Sequence, residues 1–293
     1  MKKLKYALFT GCTAKQSTPE QMISTMAVAQ KLNIELVELT EASCCGASHL
    51  QDYDDFLSLV LNARNIAYAE KHELTMVTIC NTCQLNTAMT KNRLDNNSEL
   101  KDRVNEKLKE VDLEYKDTSK ITHFLYAIIE DVGLEKIKDM VVAPLSQFNI
   151  APFYGCHNIH PSELHNESKK TLESSYRPTS LDDLIIACGG KTVDYEEKNK
   201  CCGFHVELQA PKTASILTGN AIAGAMDANA DWMVTPCPLC HLKLDTQTHH
   251  ASKAIGREVK LPVLHMQQMI GLALGCSSKE LGLQHHVSKV DFV

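Results

Sequence analysis

The sequence predicts an α/β protein of two tandem, pseudo-symmetric repeats. Each repeat is a small, mostly parallel sheet with flanking helices and cysteines at the carboxyl ends of its strands. Three observations carry this expectation. Short apolar or β-branched runs alternate with helical patterns, as parallel strands joined by helical crossovers require. The twelve cysteines recur in a doubled spacing. The cysteines of each repeat also fall just past the runs read as strands, where open α/β sheets gather ligands.

Tyr6–Phe9, Ile34–Leu39 and Met76–Ile79 read as buried strands of the first repeat, and Phe153–Tyr154, Lys191–Asp194 and Trp232–Thr235 as those of the second. Thr18-Pro19-Glu20-Gln21 has the form of a capping box with proline at the first helical position, starting a helix that runs to about Leu32. Tyr53–His72 and Pro211–Ala228 are longer helical stretches. Between Lys91 and Lys120, sixteen of thirty residues are charged, eight of each sign. Leu100, Val104, Leu108 and Val111 recur there at helical spacing, so the tract reads as a mostly exposed helix lying on the first half. Ile121-Thr122-His123 and Val263-Leu264-His265 each open a helix-like run, with His123 and His265 as packing and capping residues. The weakly amphipathic Val263–Leu274 reads as a core helix rather than a membrane-surface one. Leu134–Gln147, centred on Met140-Val141-Val142 and Ala143-Pro144, links the repeats, which gives domains of residues 1–140 and 141–293.

Composition narrows the class. With 293 residues, 44% hydrophobic and 23% charged, the chain can bury one large core or two medium ones and is neither disordered, collagenous nor a coiled coil. A net charge of −6 gives no electrostatic reason to expect nucleic acid or an anionic membrane surface as a partner. No apolar run approaches the roughly 18–20 residues of a spanning helix. Tyr6–Thr10, after the basic Met1–Lys5, is too short for the apolar core of a signal peptide. The expectation is a soluble, cytoplasmic chain in a reducing compartment, where clustered cysteines bind metal. Disulfides are the rival, and adjacent pairs such as Cys44-Cys45 and Cys201-Cys202 are awkward partners for them.

The spacing itself is a duplication. Cys12 is followed after 31 residues by Cys44-Cys45, and after 34 more by Cys80-Asn81-Thr82-Cys83. Cys156 is followed after 44 residues by Cys201-Cys202, and again after 34 by Cys237-Pro238-Leu239-Cys240. Gly46 and Gly203 follow the pairs, so each half reads C…CCG…CxxC. Phe9-Thr10-Gly11-Cys12 likewise resembles Phe153-Tyr154-Gly155-Cys156. Cys188 aligns with Leu32 at a helix end, with Gly189 as its cap, and reads as a buried structural residue. Cys276 stands outside the repeat and reads the same way. The 13 extra residues of the second half fall between Cys156 and a helix near Ser180, in a segment from His157 to Arg177 that carries His160, His165 and Tyr176. Five sulfurs per half suit an iron–sulfur site better than a four-cysteine zinc site, although zinc in one half stays open on spacing alone.

The two C…CCG…CxxC units, from Tyr6 to about Gly275 and including Ala151–Cys156, resemble the tandem cysteine-rich CCG domains of heterodisulfide reductase, found in the subunit where its disulfide is cleaved. They are similar as well to the related subunit of type E succinate:quinone and fumarate reductases. The resemblance implies two noncubane [4Fe-4S] clusters, one on Cys12, Cys44, Cys45, Cys80 and Cys83 and the other on Cys156, Cys201, Cys202, Cys237 and Cys240. It implies reduction or formation of a disulfide between them, inside a complex with a ferredoxin-like iron–sulfur subunit and a flavoprotein subunit. The alternative it implies is electron transfer and membrane docking toward quinone, with the chain held peripherally at the membrane through its complex. The sequence departs from the family pattern in the long Cys156–Cys201 interval and in His160-Pro161, where Arg-Pro is usual.

Thiolates must leave such a site as thiols, which calls for proton donors. His49, His205 and His157 stand close after motif cysteines, as does His241, and His160 lies in the inserted segment. Arg177 could pair with a substrate carboxylate or phosphate. His49, His157, His160, His205 and Arg177 are the expected catalytic set.

Overall fold

The computed structural model describes residues 3–47, 49–161 and 173–290. His165 lies outside the described residues. Two four-stranded sheets form the frame, and every strand pairing in both is parallel. The first contains β1 (Leu4–Phe9), β2 (Ile34–Glu38), β3 (Met76–Thr78) and β4 (Ile121–His123), in the order β2-β1-β3-β4. The second repeats it with β5 (Asn149–Pro152), β6 (Lys191–Thr192), β7 (Trp232–Thr235) and β8 (Val263–His265), in the order β6-β5-β7-β8. The register repeats too, Ala7 pairing with Met76 and Met76 with Ile121 as Ala151 pairs with Met233 and Met233 with Val263. In each sheet the chain winds to one side of its first strand and then to the other. The switch lies between β1 and β3, and between β5 and β7, where a crevice opens at the strand ends.

Four local expectations are corrected. Phe153–Tyr154 lies past β5, although the Phe153 amide still donates to Val234 of β7 at 2.8 Å. Ile121–His123 and Val263–His265 are strands in their own right, because β3 and β7 offer them a free parallel edge, and the helices begin only at Phe124 and Met266. The capping box at Thr18 does not form: the Thr18 hydroxyl bonds the Thr13 carbonyl, and Gln21 Nε2 donates to the buried Ile79 carbonyl at 2.6 Å. The link between repeats is shorter than expected, since Leu134–Met140 is helical. The helix Pro19–Lys31 itself stands as read, and the stretch from Tyr53 resolves into Leu50–Tyr53 and Asp55–Lys71.

Within the charged tract, helix Ser98–Leu108 buries Val104 and Leu108, and its N-cap Asn97 accepts from the Leu100 amide at 3.0 Å. Val111 is exposed because the helix stops at Leu108 and the chain turns through a left-handed Asp112.

Two hydrophobic clusters make the core, and each draws on both halves. One joins Leu8 and Val28 to Tyr154, Leu184 and Leu264, and the other joins Phe9 and Ile66 to Phe153 and Met233. Helix Met266–Ala273 is buried along its whole length and packs on helix Pro19–Lys31, which removes it as a membrane-surface element. No described helix is long and apolar enough to cross a membrane. Cys188 is fully buried at the end of helix Ser180–Ala187, just as Leu32 closes helix Pro19–Lys31. Burial alone pushes its thiol up to about 12. Cys276 is also buried.

Candidate metal centre at the seam of the repeats

Cys12 and Cys156 follow the first strand of each sheet after a short turn, and Cys80 and Cys237 follow the third. Cys80 and Cys237 are N-caps of helices Asn81–Asp95 and Pro238–Thr246, whose first turns carry Cys83 and Cys240. Sulfur at a helix N-terminus meets unpaired backbone N–H groups that favour the thiolate. Each Cys-Cys-Gly loop sits beyond the second strand. Its carbonyls are held by side chains: Asn62 and Asn86 donate to the Cys45 carbonyl at 3.0 and 3.2 Å, and the Thr218 hydroxyl donates to that of Cys202 at 2.9 Å.

The motif glycines are explained by this packing. Gly46 and Gly203 have φ of +87° and +95°, and their amides donate to Cys44 and Cys201 Sγ at 3.4 and 3.3 Å. Gly11 and Gly155 have φ of +71° and +69°. A Cβ at Gly11 would stand 2.9 Å from Cys83 Sγ, and one at Gly155 would stand 2.9 Å from Cys240 Sγ. The backbone is therefore shaped around the sulfurs in the same way twice.

The thiols form one unbroken run. Cys12 contacts Cys44 and Cys45 contacts Cys83, each at 3.5 Å. Cys44 also meets Cys45, and Cys83 meets Cys80. In the second half Cys156 meets Cys201, Cys201 meets Cys202, Cys202 meets Cys240 and Cys240 meets Cys237. The two runs join where Cys80 meets Cys237. From the seam outward, the order of motif positions is identical on both sides. Cys12 and Cys44 are exposed, Cys156 and Cys201 half-buried, and the other six buried. A cavity of about 100 Å³ lies against the first set, lined by Cys12, Cys44, Cys45, Cys80 and Cys83 and closed from the second half by Phe204, Pro238 and Leu239.

Thiols so crowded cannot all ionise independently. Hydrogen bonds from Cys156 and Cys202 hold the Cys201 thiol down to about 2, while the Cys201 thiolate pushes Cys156 up. Cys237 is held low by Cys240, Cys80 and the Asn81 amide against the opposing effect of burial. Ten soft donors in contact, with backbone N–H groups aimed at them, fit an iron–sulfur group, whose positive irons would balance the charge.

Three of the expected proton donors converge on the same seam. The Thr82 hydroxyl lies 3.0 Å from His157 Nδ1 and 3.1 Å from His205 Nε2. The two imidazoles stack with centroids 4.4 Å apart, and His49 is 6.1 Å from His205. Burial lowers the pKa of His157 and brings that of His205 down to about 4, so both are neutral near pH 7. His160 is exposed in the turn after Cys156, where its amide donates to the Cys156 carbonyl at 3.0 Å. Arg177 is exposed on a separate depression shared with Asp182, Asp194 and Lys198, whose lining contains no cysteine. His241 turns to β8 and bonds the Val263 carbonyl at 2.9 Å, and His123 caps its helix by accepting from the Leu125 amide at 3.1 Å. Sequence reasoning missed Thr82. Its position inside the CxxC was visible, but its meeting with two histidines of the other half depends on how the sheets face each other. Asn81 was missed for the same reason, and its Nδ2 donates across the seam to the Tyr154 carbonyl at 2.8 Å.

Comparison with known proteins agrees with this geometry. The family described as "CCG: Cysteine-rich domain" matches residues 6–87 and 150–245. The 8-methylmenaquinol:fumarate reductase membrane anchor subunit of Wolinella succinogenes is 40% identical over 283 residues, covering 97% of this chain and 96% of that one. A subunit of the ferredoxin/F(420)H(2)-dependent CoB-CoM heterodisulfide reductase of Methanosarcina acetivorans is 34% identical, covering 99% of this chain and 96% of that one. A crystal structure of a hypothetical protein from Helicobacter pylori superposes with a TM-score of 0.81 at 20% identity. It covers the whole of this chain, which spans 53% of that chain's length, and it bears on the fold alone. A tandem match across both repeats, with relatives aligned over nearly their full length, places this chain in the CCG cysteine-rich domain family.

Proposed function

We propose that the protein is the iron–sulfur redox subunit of a heterodisulfide-reductase-like complex, which reduces or forms a disulfide at the seam of its repeats. The observation that carries this reading is the mirrored run of ten sulfurs, joined at Cys80 and Cys237 and flanked by the His157–Thr82–His205 bridge. Residues 1–140 and 141–293 act as the two units, each with one ligand set. Cys12, Cys44, Cys45, Cys80 and Cys83 would hold one noncubane [4Fe-4S] cluster, and Cys156, Cys201, Cys202, Cys237 and Cys240 the other. Bound there, the clusters would supply electrons one at a time.

The chain's own residues do the rest. Glycine amides at positions 46 and 203 donate to ligand sulfur, which tunes potential. Neutral His157 and His205 share the Thr82 hydroxyl, so a proton held on one ring can pass along the bridge toward a leaving thiolate. Phe204 and Leu239 keep water from the inner sulfurs. Electrons would come from a ferredoxin-like iron–sulfur subunit and a flavoprotein subunit of the same complex, and one relative is named for dependence on ferredoxin or F(420)H(2). The cytoplasm is the expected location, with membrane association only through the complex.

The 40% identity to a fumarate reductase anchor subunit favours one second reading, in which the chain docks a flavoprotein and carries electrons between it and membrane quinone. Anaerobic assay of the isolated complex separates the two. Reduction of a thiol disulfide by reduced ferredoxin or flavin donor, lost in Cys80→Ala, supports the first. Quinol-dependent turnover without disulfide chemistry overturns it in favour of the second.

A further inference from the structure

Apart from the cysteines, three ionisable side chains are sealed together between the halves. Glu20, His241 and His265 are 3%, 2% and 0% exposed. Glu20 stands at the start of helix Pro19–Lys31, His241 on helix Pro238–Thr246 and His265 at the end of β8, so both repeats contribute. Glu20 Oε1 is 3.2 Å from His265 Nε2 and 3.9 Å from His241 Nδ1. One nitrogen or oxygen from each residue lies within 4.8 Å of the other two.

The protonation pattern is what makes this group unusual. His241 Nε2 is 2.9 Å from the Val263 carbonyl, an acceptor only, so the ring proton sits on Nε2. Nδ1 is then a bare lone pair, buried, without a hydrogen-bond partner, and facing a carboxylate oxygen. Two electron-rich atoms held face to face away from water repel unless something positive stands between them. Among the described residues, the ion-pair contacts of Glu20 are to these two histidines.

We propose that Glu20, His241 and His265 bind one zinc-class divalent cation, separate from the cysteine sites, that ties the first repeat to the second. Two imidazole nitrogens and one carboxylate oxygen are a zinc-type donor set. At zinc bond lengths of about 2.0–2.1 Å, neighbouring ligand atoms of a tetrahedron lie roughly 3.3 Å apart. The observed 3.2 and 3.9 Å bracket that separation. The bond from His241 to a backbone carbonyl is the orienting contact that a metal-bound histidine makes with its other nitrogen. The His241 and His265 rings stack at 3.8 Å and 22°, so the ion takes the place of the hydrogen bond between His265 Nε2 and Glu20 Oε1, and one ring tilts to bring both lone pairs onto it. The tail residue His286 covers the group, its Nδ1 3.3 Å from His241 Nε2. The tail is pinned by the Val287 and Ser288 amides donating to Asp245 at 2.8 and 2.9 Å.

The test uses the full-length, cluster-loaded protein, purified without oxygen from zinc-supplemented culture and passed through EDTA. Elemental analysis is expected to find about one zinc per chain besides the iron. Zinc-edge X-ray absorption is expected to show nitrogen and oxygen neighbours near 2.0–2.1 Å and no sulfur near 2.3 Å. Glu20→Gln and His265→Gln should lose the zinc and keep the iron and its spectrum. Absence of zinc from the wild type, a sulfur neighbour shell, or zinc retained in both variants overturns the proposal. The wild-type neighbour shell decides the matter even where a variant fails to fold.

Discussion

Gly155→Ala tests whether the backbone is shaped around the sulfurs. Gly155 has φ of +69°, a region where an L-residue costs roughly 1–2 kcal/mol. Its new Cβ would stand 2.9 Å from Cys240 Sγ, whereas ordinary contact begins at 3.4 Å. The sulfur must therefore give way by about 0.5 Å, beyond the roughly 0.2 Å that a metal–ligand distance tolerates. Gly256→Ala is the control, because its φ is +67° and nothing lies within 4 Å of its Cβ. Both variants should lose about 2–8 °C in melting temperature from the backbone cost alone. Only Gly155→Ala should also lose about half of the bound iron, and Gly11→Ala should lose the other half through Cys83. The assay is iron and acid-labile sulfide per chain on anaerobically purified protein, beside a thermal melt. Full iron in Gly155→Ala, or equal iron loss in Gly256→Ala, would refute the argument that these glycines exist to let the last motif cysteine close in.

Wild-type protein should carry about eight iron and eight sulfide per chain for two four-iron clusters, and stoichiometric cysteine-bound zinc with little iron would count against both ligand sets. Cys188→Leu should leave iron content and spectra intact, since Leu32 already fills the equivalent helix end; a lost cluster would show that the repeats are misaligned. Thr82→Val should slow disulfide turnover severalfold and shift its pH profile while leaving iron in place, with Thr82→Ser restoring both; an unshifted profile would remove the bridge from the proton path. The His205 pKa is held near 4 in the fold against an ordinary 6.5, so its contribution to stability is complete above pH 6.5 and drains away as the pH falls toward 4. Denaturation midpoints across that range should fall less steeply in His205→Gln. Arg177→Ala should slow turnover with the physiological substrate while leaving iron in place, and unchanged turnover would return Arg177 to a surface role.

The cysteine arithmetic made the duplication, the ligand sets and the strand-end placement legible, because short-range spacing and parallel-sheet topology are both written along the chain. The equivalence of Cys188 and Leu32 was legible for the same reason, and both occupy the last buried position of a helix. What stayed hidden depends on contacts between distant elements. Ile121–His123 looked like a helix start because three residues carry no period, and only the exposed edge of β3 makes them a strand. Thr18 and Gln21 had the composition of a capping box, but the buried Ile79 carbonyl needed a donor and took the Gln21 amide. Histidine roles were the least legible: His157 and His241 both follow a motif cysteine, yet one faces the seam and the other a backbone carbonyl. His157 sits in a turn and His241 on a helix, a difference of local structure that the shared position after a motif cysteine does not spell out.

The duplication also explains why the seam is asymmetric although its sulfurs are not. The two ligand sets meet at equivalent elements, the helix starts at Cys80 and Cys237, whatever else the repeats contain. At that meeting point the first repeat contributes Asn81 and Thr82, and the second contributes Pro238 and Leu239. One side is therefore polar and the other apolar. The polar side recruits His157 and His205 from the opposite repeat, while the apolar side lines the cavity on the first cysteine set. Thr82 lines that cavity as well, and the Phe204 ring lies 5.4 Å from that of His205, so polar and apolar residues meet on one wall. A disulfide placed there would meet the Thr82 hydroxyl and the apolar faces of Phe204 and Leu239 together. The sulfur order repeats on both sides, so what distinguishes the repeats at the seam is the pair of residues between the cysteines, polar Asn81 and Thr82 in one and apolar Pro238 and Leu239 in the other.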